Sequence, residues 1–122
     1  MTMPDERTRA IRWGGELLEQ IASDIALLDN MIAAAQRIAL RYPTLEALEE
    51  RLRSGAVGLP PEWTTALLEA LELFDEMRAS ALGSASTRSH LMYTLRHFPD
   101  QMTIRTMSRS SSMQEWLHLP MD

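Results

Sequence analysis

The sequence predicts an all-α fold, a bundle of about six helices in one domain built from two repeated three-helix units. Three observations carry this. Apolar residues recur at helical spacing through most of the chain. Prolines and candidate cap residues cut that pattern into segments of about ten to twenty residues. The segments at 4–54 and 60–110 then overlay without a gap when the chain is shifted by 56 residues.

The first helix spans Thr2 to Ser23, with Pro4 in its opening turn. Ala10, Ile11, Gly14, Leu17, Leu18, Ile21 and Ile25 form its apolar face, opposite Arg9, Arg12, Glu16 and Glu19. Gly14 on the apolar side predicts close approach of another helix, since glycine otherwise weakens a helix by about 1 kcal/mol. Trp13 stands at the rim of that face. Asp24 to Asn30 connects to a second helix, Met31 to Tyr42, with Asn30 as its cap. Pro43 ends it. Thr44 caps a short third helix, Leu45 to Arg53, which stops at Gly55.

After the linker Gly55 to Pro61, the pattern begins again with the clearest helix of the chain. Pro60 to Met77 places Ala66, Leu67, Ala70, Leu71, Leu73, Phe74 and Met77 on one side, and Glu62, Glu69, Glu72 and Glu76 on the other. Ser84 to Ser86 break the pattern, and Ser86 stands where Asn30 stood. Thr87 to Phe98 is the fifth helix, with Leu91, Met92, Leu95 and Phe98 facing in. His97-Phe98-Pro99 repeats Arg41-Tyr42-Pro43, and Asp100 takes the capping place of Thr44 before a sixth helix, Gln101 to about Ser108. The expected core holds Leu17, Leu18, Ile21, Ile38, Leu48, Leu67, Leu71, Phe74, Leu91, Leu95 and Phe98. Residues 110–122 follow the repeat. Met113, Trp116, Leu117, Leu119 and Met121 are too apolar for a free tail, so they cover the core or dock on a second chain.

Composition narrows function. The 122-residue chain has no cysteine, which excludes disulfides and thiolate chemistry. No apolar run reaches membrane-spanning length, and the expected location is the cytoplasm. The net charge is −5, and all basic residues are arginine. Such a chain is a poor general nucleic-acid binder, because that affinity rests on cations neutralising phosphates. His90 and His97 stand seven apart, too far to share one metal ion from one helix, and are read as solvated. No phosphate-binding glycine loop, zinc-helix pair or nucleophile elbow is present. The expectation is therefore no enzyme, no metal and no cofactor.

The opening Met1-Thr2-Met3-Pro4-Asp5-Glu6-Arg7-Thr8-Arg9, an amphipathic helix after it, and the helix ends Leu40-Arg41-Tyr42-Pro43 and Leu95-Arg96-His97-Phe98-Pro99 resemble a family of short helical bacterial proteins of unassigned function. The resemblance covers mainly residues 1–43 and implies a helical bacterial protein. It implies no activity. This chain departs from the family in carrying a second unit.

The leading functional expectation is a protein-binding module: a regulator, adaptor or inhibitor. The partner-binding residues expected are Glu62, Glu69, Glu72 and Glu76, which would meet a basic surface, together with Trp116 and Leu117 of the tail. One version is a phage or mobile-element inhibitor that imitates nucleic-acid charge against a defence complex such as CRISPR. A homodimer involving the tail is also expected. The alternative is a transcriptional regulator with a helix-turn-helix at the second and third helices, although Glu46, Glu49 and Glu50 suit a reading helix badly.

Overall fold

A computed structural model describes residues 2–118. Its helices are α1 (Pro4–Ala22), α2 (Asp29–Ala39), α3 (Leu45–Ser54), α4 (Pro61–Ser80), α5 (Ala85–Leu95) and α6 (Gln101–Ser108), followed by a single 3-10 turn at Met113–Glu115. There is no strand among the described residues. The all-α bundle of about six helices is what the spacing predicts.

Local chemistry accounts for most boundaries. Pro4 and Pro61 open the two long helices, where their missing N–H groups cost nothing. Thr44 Oγ1 accepts the Ala47 N–H, and Asp100 Oδ1 accepts the Thr103 N–H, so α3 and α6 share one capping scheme. Gly55, at φ +69°, ends α3 in the left-handed conformation. Two expected caps are corrected. Asn30 and Ser86 lie inside their helices, because α2 begins after Leu28 and α5 after Ser84. Ser84 Oγ accepts the Thr87 N–H, while its own N–H is taken by Asp24 of the α1–α2 connection. That second bond joins residues 60 apart, so local spacing could not reveal it. The second helix also stops at Ala39, three residues short of Tyr42.

The helices α2 and α5 begin and end 56 residues apart, and α3 and α6 begin 56 apart. The two stretches do not form separate bodies. The main packing partners of α1 are α2 and α5, and α4 rests on α2, α5 and α6, so one apolar cluster draws on both stretches. Tyr42, after α2, and Phe98, after α5, converge on Gly14 of α1. A Cβ there would stand 2.5 Å from Tyr42 Oη and 2.8 Å from Phe98 Cε1. The expected close approach at Gly14 is therefore made by two rings at equivalent positions. The Tyr42 hydroxyl donates to the Ile11 carbonyl, and Phe98 packs edge-on against Phe74 at 5.4 Å.

The core contains most of the expected residues; two of them, and two residues expected only on apolar helix faces, are corrected. Leu71 and Leu95 are only half-buried, packed against the cluster from its margin. Ile25 is 97 % exposed because α1 ends before it and the connection turns outward. Met92 is 58 % exposed, since α5 rests on α1 and α4 through Thr87, His90, Leu91 and Thr94.

The tail returns to its own chain. Met113 and Leu117 are buried. Arg7 donates to the Trp116 carbonyl at 2.8 Å and lies 5.5 Å from the Trp116 ring, and the His118 N–H donates to Thr8 Oγ1. Burial lowers the Arg7 pKa, and Asp100 opposes the shift. Leu117, expected at a partner surface, is thus sealed in the core, and Trp116 is half-buried. Leu119 and Met121 lie outside the described residues.

Candidate interaction surfaces

Two surfaces carry concentrated charge. The first is the outer side of α4. Glu62, Glu72 and Glu76 are exposed and Glu69 is half-buried. None of the four forms an ion pair among the described residues; Arg78, the basic residue of α4, is bound to Asp75 at 3.1 Å. Helical geometry sets Glu69, Glu72 and Glu76 on adjacent turns, with Glu62 about two turns away. Together they form an acidic stripe, exposed at Glu62, Glu72 and Glu76. Beside it runs a groove of about 390 Å³ between α4 and α6, lined by Leu68, Leu71, Glu72, Asp75, Gln101 and Arg105. The half-burial of Leu71 is explained by this groove, which leaves part of its side chain open.

The second surface was not legible in the sequence, because it forms where α1 and α5 run side by side. Gln20 Nε2 donates to Ser86 Oγ, and His90 Nδ1 donates to Gln20 Oε1 at 2.8 Å. Further along, Trp13 meets Tyr93 edge-on at 5.0 Å, and His97 pairs with Glu6 at 3.1 Å. These contacts run in opposite directions along the two helices, so they are antiparallel. His90 is buried, which corrects the expectation of a solvated side chain. It stacks on Tyr93 at 4.8 Å, and its Nε2 has no hydrogen-bond partner. Burial lowers its pKa, against opposing pulls from Glu16 and the Trp13 carbonyl. His97 is only part-buried and shares a hydrogen bond with Thr2. The outer rim of the seam holds Arg9, 5.9 Å from the Trp13 ring, and Arg96 at the end of α5.

Among the described residues no three acidic or histidine side chains are grouped to hold a metal ion. The buried carboxylate, Asp24, is committed to structure. Its pKa falls from 3.8 to about 2 because Thr87 and the Ser84 N–H bond the charged form. No described helix is long and apolar enough to cross a membrane.

Both arginines of α3 are engaged within the chain. Arg51 donates to the Gly58 and Val57 carbonyls, and Arg53 pairs with Glu49. That leaves Glu46 and Glu50 outermost. The class that the fold and surfaces define is a six-helix α bundle with charged faces. No family model, curated protein or solved structure matches the chain.

Proposed function

We propose that the protein is a non-enzymatic binding module that recognises a basic surface on a protein partner through the acidic stripe of α4. The observation that carries this reading is that Glu62, Glu69, Glu72 and Glu76 share one face and form no ion pair among the described residues. Internally uncompensated charge on a rigid helix steers encounter and selects partners of opposite sign. Regulator, adaptor and inhibitor are all roles such a surface serves. An inhibitor that displaces nucleic acid from a basic groove, as in a defence complex such as CRISPR, is the most specific form of the proposal. The resemblance of residues 1–9 to short bacterial proteins agrees with a bacterial or phage source. A cytoplasmic location and a homodimer belong to the same proposal.

One observation favours a second reading. The exposed side of α6 offers Gln101, Arg105, Thr106 and Arg109 around a shallow depression of about 300 Å³. Residues of these types read bases and phosphates. The groove beside α6 also holds Glu72 and Asp75, which repel phosphate, so a helix-turn-helix regulator ranks second.

The test is binding kinetics with a partner captured from the source cell. Glu72→Arg/Glu76→Arg should slow association about tenfold or more at low salt and leave dissociation nearly unchanged. Unchanged association would reduce the stripe to a solvated face. Tight, steeply salt-dependent binding of duplex DNA by the wild type would favour the second reading.

A further inference from the structure

The α1–α5 seam is built like an interface centre and is left open. Trp13 is half-buried, Tyr93 is 40 % exposed, and Met92 beside it is 58 % exposed. Tryptophan, tyrosine, arginine and methionine are the residues that interface centres favour. The rings are held in place from below: His90 stacks under Tyr93 while bonded to Gln20, and Trp13 abuts the Tyr93 ring. A platform fixed in this way loses little conformational entropy on binding. Arg9 and Arg96 are exposed at its rim, and neither has a carboxylate partner among the described residues. The nearby acids on α1 are Asp5, Glu6 and Glu16; Glu6 pairs with His97 at 3.1 Å, and Glu16 is tied to Arg12 at 3.8 Å.

We propose that this face docks the acidic side of α4 from a second copy of the chain. The complementarity is internal to the molecule: one face carries two arginines without an ion-pair partner among the described residues, and the other carries four glutamates without one. Glu69 and Glu76 stand about 10 Å apart along α4, one helical repeat of seven residues. Arg9 lies 5.9 Å from the Trp13 ring on α1 and Arg96 follows Tyr93 by three residues at the end of α5, so acids spaced along α4 have one arginine to meet on each helix. Because the two faces are different, the contact is head-to-tail, and the bound pair still presents one free face of each kind. The stripe thus has an occupant before any other partner arrives, and a competing basic surface must displace it. This proposal uses the stripe of the preceding section but is independent of the partner's identity.

Light scattering on the full chain tests it. Wild-type mass should rise with concentration at low salt and fall back to the monomer as salt screens the contact. Arg9→Glu/Arg96→Glu and Glu72→Arg/Glu76→Arg should each stay monomeric. All four positions are exposed, and circular dichroism should show both variants fully helical. Mixed, the two variants should associate again, because the unaltered arginine face of one meets the unaltered acidic face of the other and the two reversed faces are also of opposite charge. A wild type that is monomeric throughout overturns the proposal. So does self-association of either variant alone, or a mixture that does not pair. Loss of self-association only on removal of residues 110–122 overturns it too, in favour of a tail-mediated dimer. A failure here leaves the capture kinetics unaffected, so the two readings fall separately.

Discussion

Gly14→Ala places one methyl group where two aromatic rings meet. Alanine improves the intrinsic helix preference of α1 by about 1 kcal/mol. Against this, the new Cβ would lie 2.5 Å from Tyr42 Oη and 2.8 Å from Phe98 Cε1. Neither ring can retreat freely. Both are 8 % exposed; the Tyr42 hydroxyl is bound to the Ile11 carbonyl, and Phe98 is packed on Phe74. Overpacking of this kind costs about 1–3 kcal/mol. Breaking the phenol bond and leaving the group buried costs a further 1–3 kcal/mol or so. The net expectation is a loss of about 1–5 kcal/mol, read as a lower midpoint in urea at constant slope. Gly15→Ala is the control. Its Cβ would meet Tyr42 Cε1 at 3.2 Å and Cδ1 at 3.3 Å, at a half-buried site, so contact and helix preference should nearly cancel. If Gly14→Ala is as stable as the wild type or more so, the convergence of Tyr42 and Phe98 on α1 is wrong.

Three further outcomes are expected. Asp24 has a folded pKa below its unfolded value, so its contribution is present above about pH 4 and is lost as the pH falls towards about 2. Asp24→Asn should cost about 1–2 kcal/mol at neutral pH and flatten the acid limb of the stability curve; an unchanged acid limb would contradict the clamp. His90 is also depressed, but it is a base, so the unfolded chain takes up its proton first. Stability should therefore fall as the pH drops below about 6.5, and His90→Gln should remove that slope, as pH-dependent urea titrations can show. Deleting residues 110–122 removes buried Met113 and Leu117, worth about 1.5–3 kcal/mol each, and calorimetry should show a correspondingly lower melting temperature. An unshifted melting temperature would mean that the tail covers nothing.

What was legible in the sequence was local or periodic. The apolar face of α1 and the acidic stripe of α4 follow from residues within one helix. The caps Thr44 and Asp100 act on N–H groups three residues away. The misreadings involve partners distant in the chain. Ser86 lost the cap role because Ser84 is fixed by Asp24. His90 sits on what looked like a polar face, yet it is buried because Gln20 and Tyr93 receive it. Leu71 has the periodicity of a core residue, but the α4–α6 groove leaves it half open, so its truncation should cost less than the usual 2–5 kcal/mol. Leu117 had the apolarity of a docking residue, and its partner proved to be the chain itself. The Arg9–Trp13–Tyr93–Arg96 face joins residues more than 80 positions apart, and no window along the chain contains them together.

The most direct test of the proposed function is carboxylate footprinting with a captured partner. Labelling at Glu69, Glu72 and Glu76 should fall several-fold when the partner binds, while Glu46 and Glu50 on the exposed side of α3 stay unchanged. Equal labelling of the α4 acids in the free and bound protein would contradict the claim that this stripe is the recognition surface.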